Sequence, residues 1–304
     1  MIQITNRPLD NPFDHARGSA QHNSLPWRII DLIQWGTRYF TDRNISNARL
    51  EVEWLLAHQL GLERIDLYVQ HDRGLTSREL AGFKGLVRRR VVGEPFQYIL
   101  GKAPFYGHDF LVTPAVLIPR PETETLIQVL RQASSPELIL DIGTGSGCLA
   151  ITAALLYPDA QVTAVDISQA ALAVAEENAR RLEAANVTFQ KRDILKALLK
   201  GRFDSILCNP PYVAADEMTM LQREIREHEP LSALTDGNDG LTWFRRLAEI
   251  GPGLLEGAGR MIVEIGGSCQ AEPVRAIFEA AGAEVTLHRD LQGEPRAYEG
   301  RWEK

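Results

Sequence analysis

Apolar residues in this chain fall first at helical and then at strand spacings, and the change divides it. Residues 1–25 carry Asn, Pro, Asp, Gly, Ser and His without a sustained apolar period, which predicts a flexible lead-in. From residue 26 the pattern turns helical: Ile29, Ile30, Leu32 and Ile33, then Ala48, Val52, Leu55, Leu56 and Leu60, with Gly61 as a stop. Residues 62–69 predict a short third helix. Thr76-Ser77-Arg78-Glu79 has capping-box spacing and opens a helix through Leu80, Phe83, Leu86 and Val87. Residues 26–101 are therefore expected to form a small helical bundle.

Residues 102–121 shift to aromatics and prolines and predict a connector. Phe105 to Phe110 reads as a β-hairpin turning at Gly107, and Pro119 and Pro121 enforce an extended approach to a helix with Glu122 and Glu124 in its first turn. From residue 122 to 304 strand and helix patterns alternate. Strands are expected at 138–142, 161–166, 187–190, 203–208, 260–265, 283–287 and 297–302, with helices at 149–156, 170–182 and 272–281. Such alternation predicts an α/β domain built on a parallel sheet covered on both faces.

Composition narrows the classes. The 304 residues are 44% hydrophobic, enough for a sizeable core, and two domains are expected. A net charge of −7 supplies no overall positive field for duplex DNA or an anionic membrane, and no direct nucleic-acid binding is expected. The three cysteines, Cys148, Cys208 and Cys269, are widely spaced and lack C-x-x-C pairing, which argues for structural thiols in a reducing compartment. No apolar run approaches the roughly 18 residues of a membrane helix, so a cytoplasmic protein without membrane contact is expected. His58 and His71 have no second ligand at metal spacing, and no metal site is expected. Arg88-Arg89-Arg90 closes a helix where cations complement the dipole; a solvated cluster is expected over a phosphate contact.

Ligands of open α/β sheets sit beyond the carboxyl ends of the strands, so chemistry is sought there. The first strand is followed by Asp141-Ile142-Gly143-Thr144-Gly145-Ser146-Gly147 and a helix near Cys148. Glycines permit a tight turn and close approach, and a helix start offers free N–H groups. The spacing G-x-G-x-G is not the G-x-G-x-x-G of dinucleotide enzymes. Asp166 ends the second strand, about 20 residues on as in ribose-binding units, where its carboxylate can accept both hydroxyls; capping the next helix is its alternative. Asp193 and Ile194 end the third, suited to an adenine amino group and a purine face, with a plain turn as the alternative. The fourth strand delivers Asn209-Pro210-Pro211-Tyr212. Two prolines stiffen this loop and leave carbonyls seeking donors, which suits a planar NH2 guest, though a proline turn after a strand is its bland reading.

The glycine turn, Asp166 and the Asn-Pro-Pro-Tyr loop resemble the class I methyltransferases that use S-adenosyl-L-methionine, specifically those acting on a planar amide or exocyclic amine nitrogen. Glu94-Pro95 with Tyr98-Ile99-Leu100-Gly101, the aromatic hairpin, Pro119-Arg120-Pro121-Glu122-Thr123-Glu124, Glu229-Pro230 and Asp239-Gly240-Leu241 are similar to the protein-(glutamine-N5) methyltransferases of peptide chain release factors. The likeness runs from about residue 26 to the end. It implies a Rossmann-like class I methyltransferase sheet with an N-terminal helical bundle and a connecting β-hairpin. It implies S-adenosyl-L-methionine held by Gly143, Thr144, Gly145, Ser146, Gly147, Asp166, Asp193, Ile194 and Asn209. It also implies a clamp of Asn209, Pro210, Pro211 and Tyr212 around the glutamine, Phe105 closing over that side chain, and a class I release factor gripped by the bundle.

A sister family that methylates a glutamine of a large-subunit ribosomal protein shares the clamp and the hairpin motif, but resembles the region after Pro121 less well. An adenine-N6 methyltransferase has the same kind of clamp, and the net charge counts against it. A non-catalytic adaptor would have been free to lose the clamp or the glycine turn. Cys148 and Cys208 flank the site without a partner base and read as small buried residues. Asp290 and Arg296 are expected to form a structural ion pair.

Overall fold

The structure is a computed structural model that describes residues 26–196 and 200–302; the lead-in expected over residues 1–25 lies outside them. The chain divides after Leu100 into two units. In the first, helices span Ile29–Thr41, Ala48–Leu60, Arg64–Val69, Ser77–Val91 and Phe96–Leu100. Their apolar faces meet in a core that includes Leu32, Phe40, Val52, Leu55, Leu56 and Phe83, each without solvent exposure. Gly36 permits a close approach: a Cβ there would lie 2.8 Å from Val52 Cγ1. Gly61, at φ 64°, ends the second helix.

Thr76 caps Ser77–Val91, its hydroxyl accepting from Glu79 N–H at 3.3 Å while Glu79 accepts from Thr76 N–H at 2.8 Å. Thr76→Ala is expected to lower unfolding stability by about 1 kcal/mol, read as a shift of the urea midpoint at unchanged slope. The arginine cluster is not simply solvated. Arg90 pairs with Glu51 at 2.6 Å with only 10% of its side chain exposed, and Arg89 pairs with Glu94. Removal of the helix-end charges by partners within the same unit explains the departure from the solvated expectation.

In the second unit β1 (Lys102–Phe105) and β2 (His108–Leu111) form the antiparallel hairpin, with Tyr106 and Gly107 at positive φ in its turn. Phe105 and Phe110 are buried and meet edge to face at 6.0 Å. Among the described residues one seven-stranded sheet follows: β3 (Leu138–Ile142), β4 (Gln161–Asp166), β5 (Val187–Lys191), β6 (Phe203–Cys208), β7 (Leu255–Glu264), β8 (Ala283–Arg289) and β9 (Pro295–Trp302). Their spatial order is β5-β4-β3-β6-β7-β9-β8. β5 through β7 are parallel, whereas β9 runs antiparallel to both β7 and β8.

The last strand thus departs from an all-parallel sheet. Only residues 290–294 separate β8 from β9, and a connection that short permits an antiparallel neighbour but no crossover. Asp290 and Arg296 close this turn as an ion pair at 3.2 Å, as expected. The strand order reverses between β4 and β6 around β3, placing the β3 and β6 ends at the switch point of the sheet.

Candidate active site

Gly143, Gly145 and Gly147 all have positive φ, 74°, 55° and 83°, so the loop after β3 needs glycine at alternate positions. Gly147 adds a steric reason: a Cβ would lie 2.7 Å from Ile151 Cδ1 and 3.1 Å from Ala175 Cβ. Its N–H and those of Gly143 and Thr144 are used to hold the loop, Gly147 on the Thr144 carbonyl and the other two on the Val165 carbonyl. Beneath the loop Asp141 Oδ2 accepts from the Thr144 hydroxyl at 2.7 Å and Ala150 N–H at 3.1 Å. Its Oδ1 is buried without a hydrogen bond from the described residues. Burial pushes this carboxyl up to about 7 against those two hydrogen bonds, and Asp166 adds to the rise.

Asp166 turns its two oxygens to different donors, Oδ1 to Ser168 N–H at 2.8 Å and Oδ2 to Gly145 N–H at 3.0 Å. Ser168, not Asp166, caps the next helix, accepting from Ala171 N–H. Gly143, Thr144, Gly145, Ser146, Asp166, Ile194 and Asn209 line one cleft with Pro211, Thr123 and Trp243. Its empty volume is about 920 Å³ including the open mouth. Arg120 and Arg192 supply positive charge to the wall.

Five of the residues expected at the site are absent from that lining. Gly147 lies at the helix start beneath the loop. Asp193 is engaged in a local turn, accepting from Leu195 N–H at 3.1 Å and pairing with Lys196 at 3.2 Å. Pro210 and Tyr212 line a second cavity with Leu221, Ile225 and Leu234, and the two cavities share Leu117, Arg120, Asn209 and Ala233. Asn209 therefore borders both. Phe105 lines neither cavity: it is 1% exposed and packs in the sheet core with Phe110, Leu126 and Ile139. The hairpin's short strands turn both phenylalanines inward, so the aromatic wall expected of Phe105 is not there.

The clamp loop is braced from several directions. Asn209 Nδ2 donates to Thr123 Oγ1 at 3.2 Å. Gln270 donates to the Tyr212 carbonyl at 2.7 Å, and a Cβ on Gly240 would lie 2.4 Å from that carbonyl oxygen. The Tyr212 hydroxyl donates to Glu264 Oε1 at 3.4 Å. Burial, with Glu264 beside it, raises the phenol well above the ordinary tyrosine range, so Tyr212 anchors the loop as a neutral side chain. Glu264 is itself pushed up to about 7 by burial, against Thr123, Arg296 and Tyr212.

Glu229, Thr123 and Glu264 carried no role in the sequence reading. Glu229 Oε2 accepts from Ile118 N–H at 3.1 Å and Oε1 from Arg120 at 2.5 Å. Two distant motifs, Pro119-Arg120-Pro121 and Glu229-Pro230, thereby become one wall; their shared oddity, prolines flanking an opposite charge, was the available signal. Glu264 lies at the end of an apolar strand with nothing around it to mark it.

Cys148 and Cys208 are held as protonated thiols, whereas Cys269 is exposed. Burial, then Asp141, pushes Cys148 up to about 12, and the same causes raise Cys208. Cys148→Ser is expected to keep turnover within about twofold of the parent, and Cys148 of the parent to resist iodoacetamide at neutral pH, read by peptide mass spectrometry apart from the exposed Cys269; loss of activity on alkylation of Cys148 would contradict this.

Comparison with known proteins matches two family models, a PrmC N-terminal domain over residues 31–101 and a methyltransferase small domain over residues 121–235. The release factor glutamine methyltransferase of Geobacter sulfurreducens is 43% identical over 277 residues, 90% of this chain and 97% of the relative. That of Bacillus subtilis is 39% identical over 88% of this chain and 96% of its own length. Among solved structures, a methyltransferase from Pyrococcus furiosus superposes over 71% of this chain and 98% of its own with a TM-score of 0.52, and at 18% identity this likeness shows the fold alone. With a class I methyltransferase sheet, a cleft at its switch point and relatives of this identity and coverage, the chain belongs to the release factor glutamine methyltransferase family.

Proposed function

We infer that this protein transfers a methyl group from S-adenosyl-L-methionine to the side-chain nitrogen of the glutamine in the Gly-Gly-Gln motif of a class I peptide chain release factor. The observation that carries this reading is the position of the Asn-Pro-Pro-Tyr loop. Where the two cavities meet, neither the Asn209 side-chain oxygen nor the Pro210 carbonyl accepts a hydrogen bond from the described residues. An amide NH2 has two N–H groups to satisfy such a pair.

The residues present fit the methyl donor. The cleft holds Asp166, whose oxygens keep lone pairs beyond their two backbone donors, and it overlies Asp141 with an unpaired buried oxygen. The Asp166 carboxylate suits a ligand with ribose hydroxyls. Ile194, 2% exposed at the end of its turn, offers an apolar face for a purine. When bound, the sulfonium supplies an activated methyl group.

The remaining chemistry belongs to the chain. An amide nitrogen is a poor nucleophile because its lone pair is delocalised, so holding its N–H groups on Asn209 and Pro210 aligns it and favours pyramidal nitrogen as the methyl transfers. Alignment carries the rate, and the proton leaves late to water. Two fixed prolines and the braces on Tyr212 keep the acceptors in place through the step. Residues 26–101 are assigned to holding the release factor, residues 102–121 to the hairpin connector, and residues 122–304 to cofactor binding and catalysis.

Mass spectrometry of a release factor's Gly-Gly-Gln peptide, before and after incubation with the protein and S-adenosyl-L-methionine, tests the reading. One added methyl group on the glutamine is expected. Methyl transfer to a ribosomal protein or to DNA with none to the release factor would overturn it.

A further inference from the structure

The Asn209 amide can be turned either way, and only one way serves a substrate amide: oxygen toward the incoming N–H, nitrogen away. The carboxamide itself does not choose. Its nitrogen sits 3.2 Å from the Thr123 hydroxyl, and Thr123 is 2% exposed, closed off from water that might otherwise exchange partners with it. What Thr123 does with its single hydrogen therefore decides the matter. A hydroxyl that donates elsewhere presents only lone pairs to Asn209 and must face its NH2; a hydroxyl that donates to Asn209 must face its oxygen instead.

Glu264 is the group that settles where the hydrogen goes. It is 1% exposed, Oε1 takes the Tyr212 hydroxyl at 3.4 Å, and Oε2 is buried with no hydrogen bond from the described residues. Cys208 pairs with Val263 across the parallel strands β6 and β7, which sets Glu264 beside Asn209 and its partner Thr123, and Thr123 favours the ionised form of the carboxyl. Among the described residues the Thr123 hydroxyl donates no hydrogen bond to the backbone or to a side chain of its own helical turn, and Glu264 Oε2 accepts none.

We propose that Thr123 and Glu264 are positioning residues that set the Asn209 carboxamide, the carboxylate drawing the Thr123 hydrogen so that Asn209 points its nitrogen at Thr123 and its oxygen at the substrate amide. The inference rests on the glutamine-methylation reading above. It gives Tyr212 a second part as well, since its hydroxyl occupies Oε1 and leaves Oε2 for Thr123. Neither Thr123 nor Glu264 touches the reacting atoms.

The test is a double-mutant cycle with Thr123→Val, Thr123→Ser, Glu264→Gln and the Thr123→Val/Glu264→Gln pair, assayed on a Gly-Gly-Gln peptide at about pH 8 so that Glu264 is ionised. Thr123→Val keeps the shape and removes the hydroxyl; kcat is expected to fall about tenfold with the affinity for S-adenosyl-L-methionine within about twofold. Thr123→Ser restores the hydroxyl and is expected to recover the parent kcat. Glu264→Gln turns an NH2 toward Thr123, reverses the direction of donation and rotates Asn209, with a similar fall in kcat. The double variant has no hydroxyl to reverse and is expected to be no slower than Thr123→Val alone.

Additive losses in the double variant, or Thr123→Ser as slow as Thr123→Val, would overturn the positioning role and leave two independent packing effects. Thr123→Val at the parent kcat would do the same. These outcomes all require a parent that methylates glutamine; a parent that leaves it unmodified overturns the functional reading itself, and this inference with it.

Discussion

Asn209→Ala is expected to lower kcat by about 30- to 1000-fold, roughly 2–4 kcal/mol of transition-state stabilisation, as for other preorganised polar contacts. The structure sharpens the reason. Asn209 borders both cavities, and on the proposed reading its loss removes the acceptor for the substrate amide. The Asn209 nitrogen is spent on Thr123, which leaves the oxygen as the group lost to catalysis. Affinity for S-adenosyl-L-methionine, measured by calorimetry, is expected to stay within about twofold. Equal losses of affinity and turnover would assign Asn209 to the cofactor and contradict the clamp.

Asp166→Ala should show the opposite split. Removal of a charged hydrogen-bond acceptor is expected to weaken cofactor binding by about 1.5–3 kcal/mol, roughly 10- to 150-fold in Kd. Two effects combine in that figure. The ribose hydroxyls lose their acceptor, and Gly145 N–H loses the 3.0 Å bond that holds the middle of the glycine turn. Asp166→Asn separates them, because its amide oxygen can keep the Gly145 bond while the charge is gone. Calorimetry on both variants reads the result, and unchanged affinity in Asp166→Ala would refute the ribose assignment. At saturating cofactor kcat is expected to recover in Asp166→Ala and not in Asn209→Ala, which makes the pair a direct contrast between holding the donor and holding the acceptor.

Much of this site was legible in order along the chain because its parts are local. A turn of alternating glycines is written in adjacent residues, and the φ angles of 74°, 55° and 83° realise what the spacing requires. The same holds for the Thr76 capping box and for Gly61 at the end of its helix. Where a local signal was broken, the sequence was silent: the helix Thr242–Leu254 ends in Gly251-Pro252-Gly253, residues that interrupt a helical pattern even though the helix packs Phe244 and Leu247 into the core.

Phe105 shows the other kind of failure. An aromatic near a predicted pocket reads equally as wall or as core, and which it becomes depends on where the hairpin settles on the sheet. Here both Phe105 and Phe110 point inward and join the core cluster. Asp193 likewise reads as ligand or turn, and its bonds to Leu195 and Lys196 belong to the turn.

By itself the sequence determined the helical and α/β halves, the glycine turn, the Asp166 carboxylate at the end of its strand and the rigid Asn-Pro-Pro-Tyr loop, because each is a short-range pattern of backbone freedom, periodicity or charge. Only the tertiary structure decided what stands behind that loop. Thr123, Glu229 and Glu264 lie 86, 20 and 55 positions from Asn209, and they become its support through the meeting of strand ends at the switch point. Burial then does what no local pattern states: it raises Asp141 and Glu264 to about 7 and leaves an oxygen of each without a hydrogen bond from the described residues, so that carboxyls ordinary in the sequence become perturbed groups buried behind the cleft.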